Sequence, residues 1–157
     1  MKKFFAILGG IFAVMIVILV IVIAIAIPRA LKLEHNGAAY IEMAVPKIAK
    51  HWNLRELTDQ ASPGLLSSLG HHKQVDRLFV LFRRLGALRH LGKPKGSVYT
   101  GDFPGSGDAT VGNYTVQAEF ANGAATIDIQ LYRTGGSWQI NGFHINSNVF
   151  LPALGKK

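Results

Sequence analysis

The chain contains no cysteine in its 157 residues. That rules out a lipoprotein anchor, which needs a cysteine to acylate, and it rules out any thiolate metal cluster. It says nothing about compartment, because a domain of this size folds without disulfides anywhere. Acidic residues are scarce too, nine Asp and Glu against seventeen Lys and Arg. The most informative absence is local. From Phe4 to Ile27 no residue carries a charge, an amide or a hydroxyl.

An uncharged run of 24 residues makes a helix roughly 36 Å long at 1.5 Å per residue, enough to cross a hydrocarbon core of about 30 Å. The sequence therefore predicts a transmembrane helix over residues 4–27. Lys2 and Lys3 before it, and Ala24-Ile25-Ala26 near its end, also fit a cleavable signal peptide. The apolar stretch is longer than the roughly 7–15 residues of such a signal, which favours a retained anchor. A pilin-type leader after Gly9-Gly10 would put a glutamate where Met15 stands. Lys2, Lys3 and the α-amino group face Arg29 and Lys32 across the span, so the positive-inside balance slightly favours a cytoplasmic N-terminus. The expectation is a single-pass protein of the cell membrane whose globular part is extracytoplasmic, periplasmic in a Gram-negative cell.

Pro28 has no N–H to donate, so the helix is expected to end or kink there. Residues 28–37 then read as a juxtamembrane linker, 38–151 as one globular domain and 152–157 as a flexible basic tail. From His35 onward there are thirteen Lys and Arg against eight Asp and Glu, a net +5. That is mildly basic, and by itself no mark of nucleic-acid binding.

Within the domain Ala38, Ile41, Ala44, Val45 and Ile48 recur at helical spacing, which predicts an amphipathic helix over 38–51 with Pro46 bending it. Ser62-Pro63 is a capped helix start, and Gly70 closes that short helix. A third helix is expected over 72–85, burying Val75, Leu78, Phe79, Phe82 and Leu85, with Gly86 as its cap. Strands are then expected over 94–103, 111–121, 124–133 and 137–147. Asn122-Gly123 is a hairpin signal because both residues tolerate positive φ, and Thr134-Gly135-Gly136-Ser137 supplies the next turn.

Ala125, Ile127, Ile129 and Leu131 alternate with polar residues, so one sheet face is buried. Trp138 and Ile140 are out of phase with Phe143 and Ile145. A β-bulge at Asn141-Gly142 would return both pairs to the core side and curl the sheet. The expected core is Phe79, Phe82, Phe120, Ile127, Ile129, Leu131, Trp138 and Ile140. The stretches 102–112 and beyond Leu154 are expected to be the least ordered.

Helices followed by an antiparallel sheet that closes on Gly136-Ser137-Trp138-Gln139-Ile140-Asn141-Gly142-Phe143-His144-Ile145 resemble the nuclear transport factor 2-like superfamily. The strand Ala118 to Ala125 resembles membrane-anchored or secreted members of it. The resemblance covers most of residues 38–147. It implies an α+β cone, about three helices packed on a curved four-stranded antiparallel sheet, often with a pocket at the wide end. Members include isomerases, dehydratases and many noncatalytic binding or assembly modules, so fold alone does not choose among them.

Proton-moving members such as ketosteroid isomerase need a carboxylate base and acidic donors inside the cone. Tyr40, Tyr99, Tyr114, Asp128 and His144 are the polar candidates. Alternation puts Asp128 on the polar face, and His144 faces out between two core positions. The six histidines lack metal-ligand spacing, so no metal site is expected. Gly86 to Lys93 has one residue too many for a phosphate loop, Pro94 stands where its Ser or Thr belongs, and Gly105-Ser106-Gly107 lacks the third glycine of a dinucleotide fingerprint. No cofactor is implied.

The remaining surface feature is basic. Lys73, Arg77, Arg83, Arg84, Arg89, Lys93 and Lys95 cluster with only Asp76 among them. Arg83, Arg84 and Arg89 are the candidate binding residues, for anionic lipid or for an acidic protein partner; a solvated helix face is the plain alternative. The functional expectation is a membrane-tethered noncatalytic binding or assembly module of the cell envelope. The alternative is a small-ligand-binding protein or an isomerase- or dehydratase-like enzyme using the cone pocket.

Overall fold

A computed structural model describes residues 2–70, 72–103 and 107–153. The chain divides into two units, Met1–Leu33 and Glu34–Lys157. The first unit belongs to a single apolar helix, α1 (Lys2–His51), which is long and apolar enough to cross a membrane. From Val14 to Ile27 its aliphatic side chains are exposed, none of them buried against protein.

α1 does not stop at Pro28. It runs without interruption through Pro28, the expected linker 28–37 and Pro46, so the separate helix expected over 38–51 is its continuation. Each proline removes one donor from the ladder, but the neighbouring turns keep theirs. At Pro46 the released carbonyl is that of Glu42, which is exposed and open to water. Burial holds the helix there: Ile41, Ala44, Val45, Ile48 and Ala49 form its buried stripe.

α1 ends at Trp52, whose φ of +44° is unusual for a bulky residue. Its indole is 3% exposed, 5.5 Å from the Phe82 ring and 5.6 Å from the Phe120 ring, and its N–H reaches the Gly86 carbonyl at 3.4 Å. Aromatic packing thus holds a backbone conformation that the residue would not choose alone. α2 (Leu54–Thr58) follows, capped by Asn53, and was not foreseen. α3 (Pro63–Ser68) starts on the Ser62 cap as expected, its hydroxyl accepting from the Leu65 N–H. α4 (His72–Phe82) passes into a 3-10 turn (Arg83–Leu85) that ends at Gly86, φ +77°. Phe79, Phe82 and Leu85 are buried and Val75 is half-buried, but Leu78 is exposed, against expectation.

Among the described residues the sheet has five antiparallel strands rather than four: β1 (Leu88–Leu91), β2 (Lys95–Phe103), β3 (Gly107–Phe120), β4 (Gly123–Thr134) and β5 (Ser137–Asn146). The extra strand has a simple origin. β1 and β2 lie end to end along the long β3, β1 against Ala118–Phe120 and β2 against Gly107–Thr115. Pro94, which cannot donate to a ladder, sits in the break between them. The β2–β3 ladder runs to Phe103↔Gly107, so most of the stretch expected to be poorly ordered is paired strand; residues 104–106 lie outside the described residues.

The two tight hairpins form where expected, with one exchange of turn chemistry. β3 and β4 are joined by Ala121-Asn122, and neither residue has positive φ. Gly135 and Gly136, at φ +62° and +103°, take the left-handed positions in the β4–β5 turn. The bulge is found at Asn141: Leu131 pairs with Ile140 while Gln130 pairs with Gly142. One extra residue brings Ile140 and Ile145 to the same face, where both are buried and Phe143 is half-buried.

The core lies between that face and the helices. Seven of the eight expected core residues are buried. Trp138 is the exception: it pairs with Arg133 at the rim of the sheet, and the Arg133 guanidinium carbon lies 5.7 Å from its ring centroid. The strand begins one residue before it, so alternation put Trp138 on the right face but at its edge, partly buried against the core. Of the expected tail, Pro152 and Ala153 close a 3-10 turn that begins at Asn148; residues 154–157 lie outside the described residues.

Candidate functional site

Trp52, Phe79, Phe82 and Phe120 pack ring to ring between helices and sheet, and Phe150 extends the cluster, 6.1 Å from Phe82. Among the described residues the buried polar side chains are Ser62, Thr110 and Ser147, with no ionisable carboxylate or imidazole. Asp128 and His144 pair across β4 and β5 on the outer sheet face, both exposed, with the Thr115 hydroxyl donating to Asp128 at 2.6 Å. Among the described residues no three potential metal ligands come together.

Tyr114 is the polar candidate that the fold does bury. Its ring is 3% exposed and fills a slot made of glycines: Gly96 lies opposite it on β2, Gly112 two residues before it and Gly37 above it on α1. A Cβ on any of the three would collide with the ring or its hydroxyl. The hydroxyl donates to the Glu34 carbonyl at 2.8 Å. Burial, helped by the nearby Glu34 charge, pushes the phenol up to about 12. Tyr114 is thus a strut between helix and sheet, not a proton donor for a substrate. Tyr40 is half-buried and its phenol is also raised by burial.

Arg83 and Arg84 sit in the 3-10 turn after α4, Arg89 in β1, and all three are exposed. The fold gathers them near one end of the β3–β4 hairpin: the Asn122 side chain donates to the Arg84 carbonyl, and Leu88 pairs with Phe120. The chain enters this unit at Glu34, beside Tyr114, whereas the arginine turn leads into Gly86, beside Trp52. Along α1 that is a separation of roughly 25 Å. Arg77, Lys93 and Lys95 are exposed as well.

The feature that sequence reasoning missed is a cleft of about 670 Å³ on the outer sheet face. Register builds it. Tyr99 on β2, Val111 on β3, Tyr132 on β4 and Gln139 on β5 are successive partners and form one row across four strands. With neighbouring strands about 4.8 Å apart, the two tyrosines stand roughly 10 Å apart with Val111 as the floor between them. The adjacent row carries Asn113 and Gln130, and the bulge adds Asn141 beside it.

A chain of hydrogen bonds holds this second row. Ser62 Oγ donates to Asn141 Oδ1 (2.6 Å), Asn141 Nδ2 to Gln130 Oε1 (2.7 Å) and Gln130 Nε2 to Asn113 Oδ1 (3.1 Å). Ser62 is also locked from below. Its N–H donates to the Ile140 carbonyl and the Ile140 N–H to the Gln60 carbonyl, each at 2.8 Å, so the segment before α3 covers the β5 edge. The signal was in the sequence, since Gln130 and Tyr132 alternate with the core residues of β4. What sequence could not show was the register aligning them with Tyr99 and Gln139.

No protein-family model, curated protein or solved structure matches the chain.

Proposed function

We propose that the chain is a membrane-tethered, noncatalytic binding or assembly module of the cell envelope, held by a single span over residues 4–27, with its folded unit extracytoplasmic. The observation that carries this reading is the interior: among the described residues it is packed with aliphatic and aromatic side chains and holds no carboxylate, while Asp128 and His144 stand exposed on the outer face. An isomerase- or dehydratase-like reading needs a buried base, and Asp128 is exposed. The α+β architecture, the bulged last strand and the G-x-W-x-I-x-x-F-x-I signature also support a nuclear transport factor 2-like cone. The exposed aliphatic surface from Val14 to Ile27 supports the span.

Crosslinking in intact membranes, followed by detergent extraction and purification of the full chain, tests the module. A reproducible envelope partner is the expected result. Extraction by alkaline carbonate, or a mature N-terminus at Ile27, would sink the tether. Arg83, Arg84 and Arg89 are read as a contact for an acidic partner. They lie near one end of the β3–β4 hairpin, in a basic stretch from Lys73 to Lys95 in which Asp76 is the single acid, a charge pattern that suits an acidic partner. Replacing all three by glutamine should abolish the crosslink and raise the salt sensitivity of nothing else. Equal binding of parent and triple variant to vesicles with and without anionic lipid is the accompanying expectation; arginine-dependent binding to the anionic vesicles would restore lipid as the target.

A further inference from the structure

The geometry points to a ligand class for the outer-face cleft: an uncharged, polyhydroxylated chain, an oligosaccharide segment of about two or three sugar rings by volume. This rests on reading the folded unit as a binding module, and it places the site on the sheet exterior rather than inside a cone.

Charge excludes the first alternatives. Among the described residues no Lys, Arg, Asp, Glu or His lines the cleft, although the folded unit is basic. A phosphate, carboxylate or ammonium would lose hydration there without gaining a counter-charge. A nucleic-acid strand fails for the same reason. The contrast lies on the same face, where the neighbouring groove holds Lys95, Asp128 and His144.

The polar groups exclude a purely apolar ligand. Asn141 and Gln130 each spend one amide hydrogen on the network and keep a second. Among the described residues the Gln139 amide and the Tyr132 hydroxyl meet no hydrogen-bond partner. Covering these groups with hydrocarbon would leave them unsatisfied, at a penalty for each. A vicinal diol both donates and accepts, and so does a carboxamide, so sugar hydroxyls match this set.

Shape supplies the rest. Tyr99 and Tyr132 flank Val111 at a spacing wide enough to admit a ring between them. Aromatic side chains offer flat apolar area with a polar tip, suited to the C–H faces of a sugar and its peripheral hydroxyls. The amides are already oriented by the Ser62–Asn141–Gln130 chain, so binding orders few side chains.

The test is isothermal titration of the full-length chain in a zwitterionic detergent, since sugar-headed detergents would compete. The probes are uncharged tetramers of glucose and of N-acetylglucosamine. At least one should bind saturably with Kd of about 0.1–1 mM. Binding should weaken at least about tenfold with Gln139→Ala and with Tyr132→Ala, and only a few-fold with Tyr132→Phe, which keeps the ring. Asn146→Ala, on β5 outside the cleft, should leave it unchanged, and added salt should not weaken it. Melting temperatures of each variant show that it is folded, and Gln139→Ala decides the matter if Tyr132→Ala is not. Absence of binding by both tetramers up to about 10 mM, binding indifferent to Tyr132→Ala and Gln139→Ala in folded protein, or binding lost in salt overturns the assignment. Membrane retention and crosslinked partners are read separately, so a failure here leaves the tethered module standing, and a failure there leaves the cleft's ligand class standing.

Discussion

Gly37→Ala sets two familiar effects against each other. In an unencumbered helix the change stabilises by about 1 kcal/mol, because alanine loses less backbone freedom. Here the new methyl would meet the Tyr114 hydroxyl and sit 2.8 Å from Cζ and 3.1 Å from Cε2. The ring cannot swing aside cheaply, being buried and closed in by Gly96 and Gly112. Relief means breaking the 2.8 Å bond to the Glu34 carbonyl, worth about 0.5–1.5 kcal/mol, and adding overpacking of about 1–3 kcal/mol. The net expectation is destabilisation by about 1–3 kcal/mol, a fall in melting temperature of about 4 °C per kcal/mol for a unit of this size. Thermal unfolding of the full chain in detergent, followed by tryptophan emission, reads it. In a Tyr114→Leu background the obstructing atoms are gone, and the same substitution should be neutral or stabilising. A melting temperature for Gly37→Ala at or above that of the parent, or equal losses in both backgrounds, refutes the strut.

Three further outcomes are expected. Trp52→Ala should cost about 3–5 kcal/mol in urea unfolding by circular dichroism, as a large buried aromatic does, whereas Trp138→Ala should cost less, under about 2 kcal/mol, because it is only partly buried at the sheet rim; equal costs would contradict the burial difference. Alkaline pH should lower the stability of the protein in a defined window. Because the folded Tyr114 phenol is raised to about 12 from an ordinary value of 10.0, its contribution is complete below pH 10 and is lost as pH rises toward 12. A Tyr114→Phe variant with the same steep loss over that range would assign it elsewhere. Asn141→Ala removes the acceptor for the proton of the Ser62 hydroxyl, a residue 1% exposed, and should cost about 1–3 kcal/mol, while Asn113→Ala at the exposed end of the same chain should cost under about 0.5 kcal/mol; the reverse order in chemical denaturation would break the network account.

The sequence alone determined whatever depends on neighbours along the chain. An uncharged run from Phe4 to Ile27 is apolar all round in any arrangement. The three-and-four spacing from Ile41 to Ile48, and the alternation from Ala125 to Leu131, each select a buried face because helix and strand periods are properties of the backbone. Even the bulge at Asn141 could be read, since two apolar pairs out of phase must be brought into phase if both are buried. Tertiary structure decided what depends on distance. Pro28 read as an end or a kink and Pro46 as a bend, yet one helix continues through both, and around Pro46 burial against the sheet outweighs the missing donor. Trp138 read as core, but its partner is Arg133 at the sheet's end. The glycine slot around Tyr114 joins α1, β2 and β3, and the cleft joins residues as far apart as Ser62, Tyr99 and Gln139. Strand register is set by the whole core closing at once, so contacts across it have no signature in local spacing.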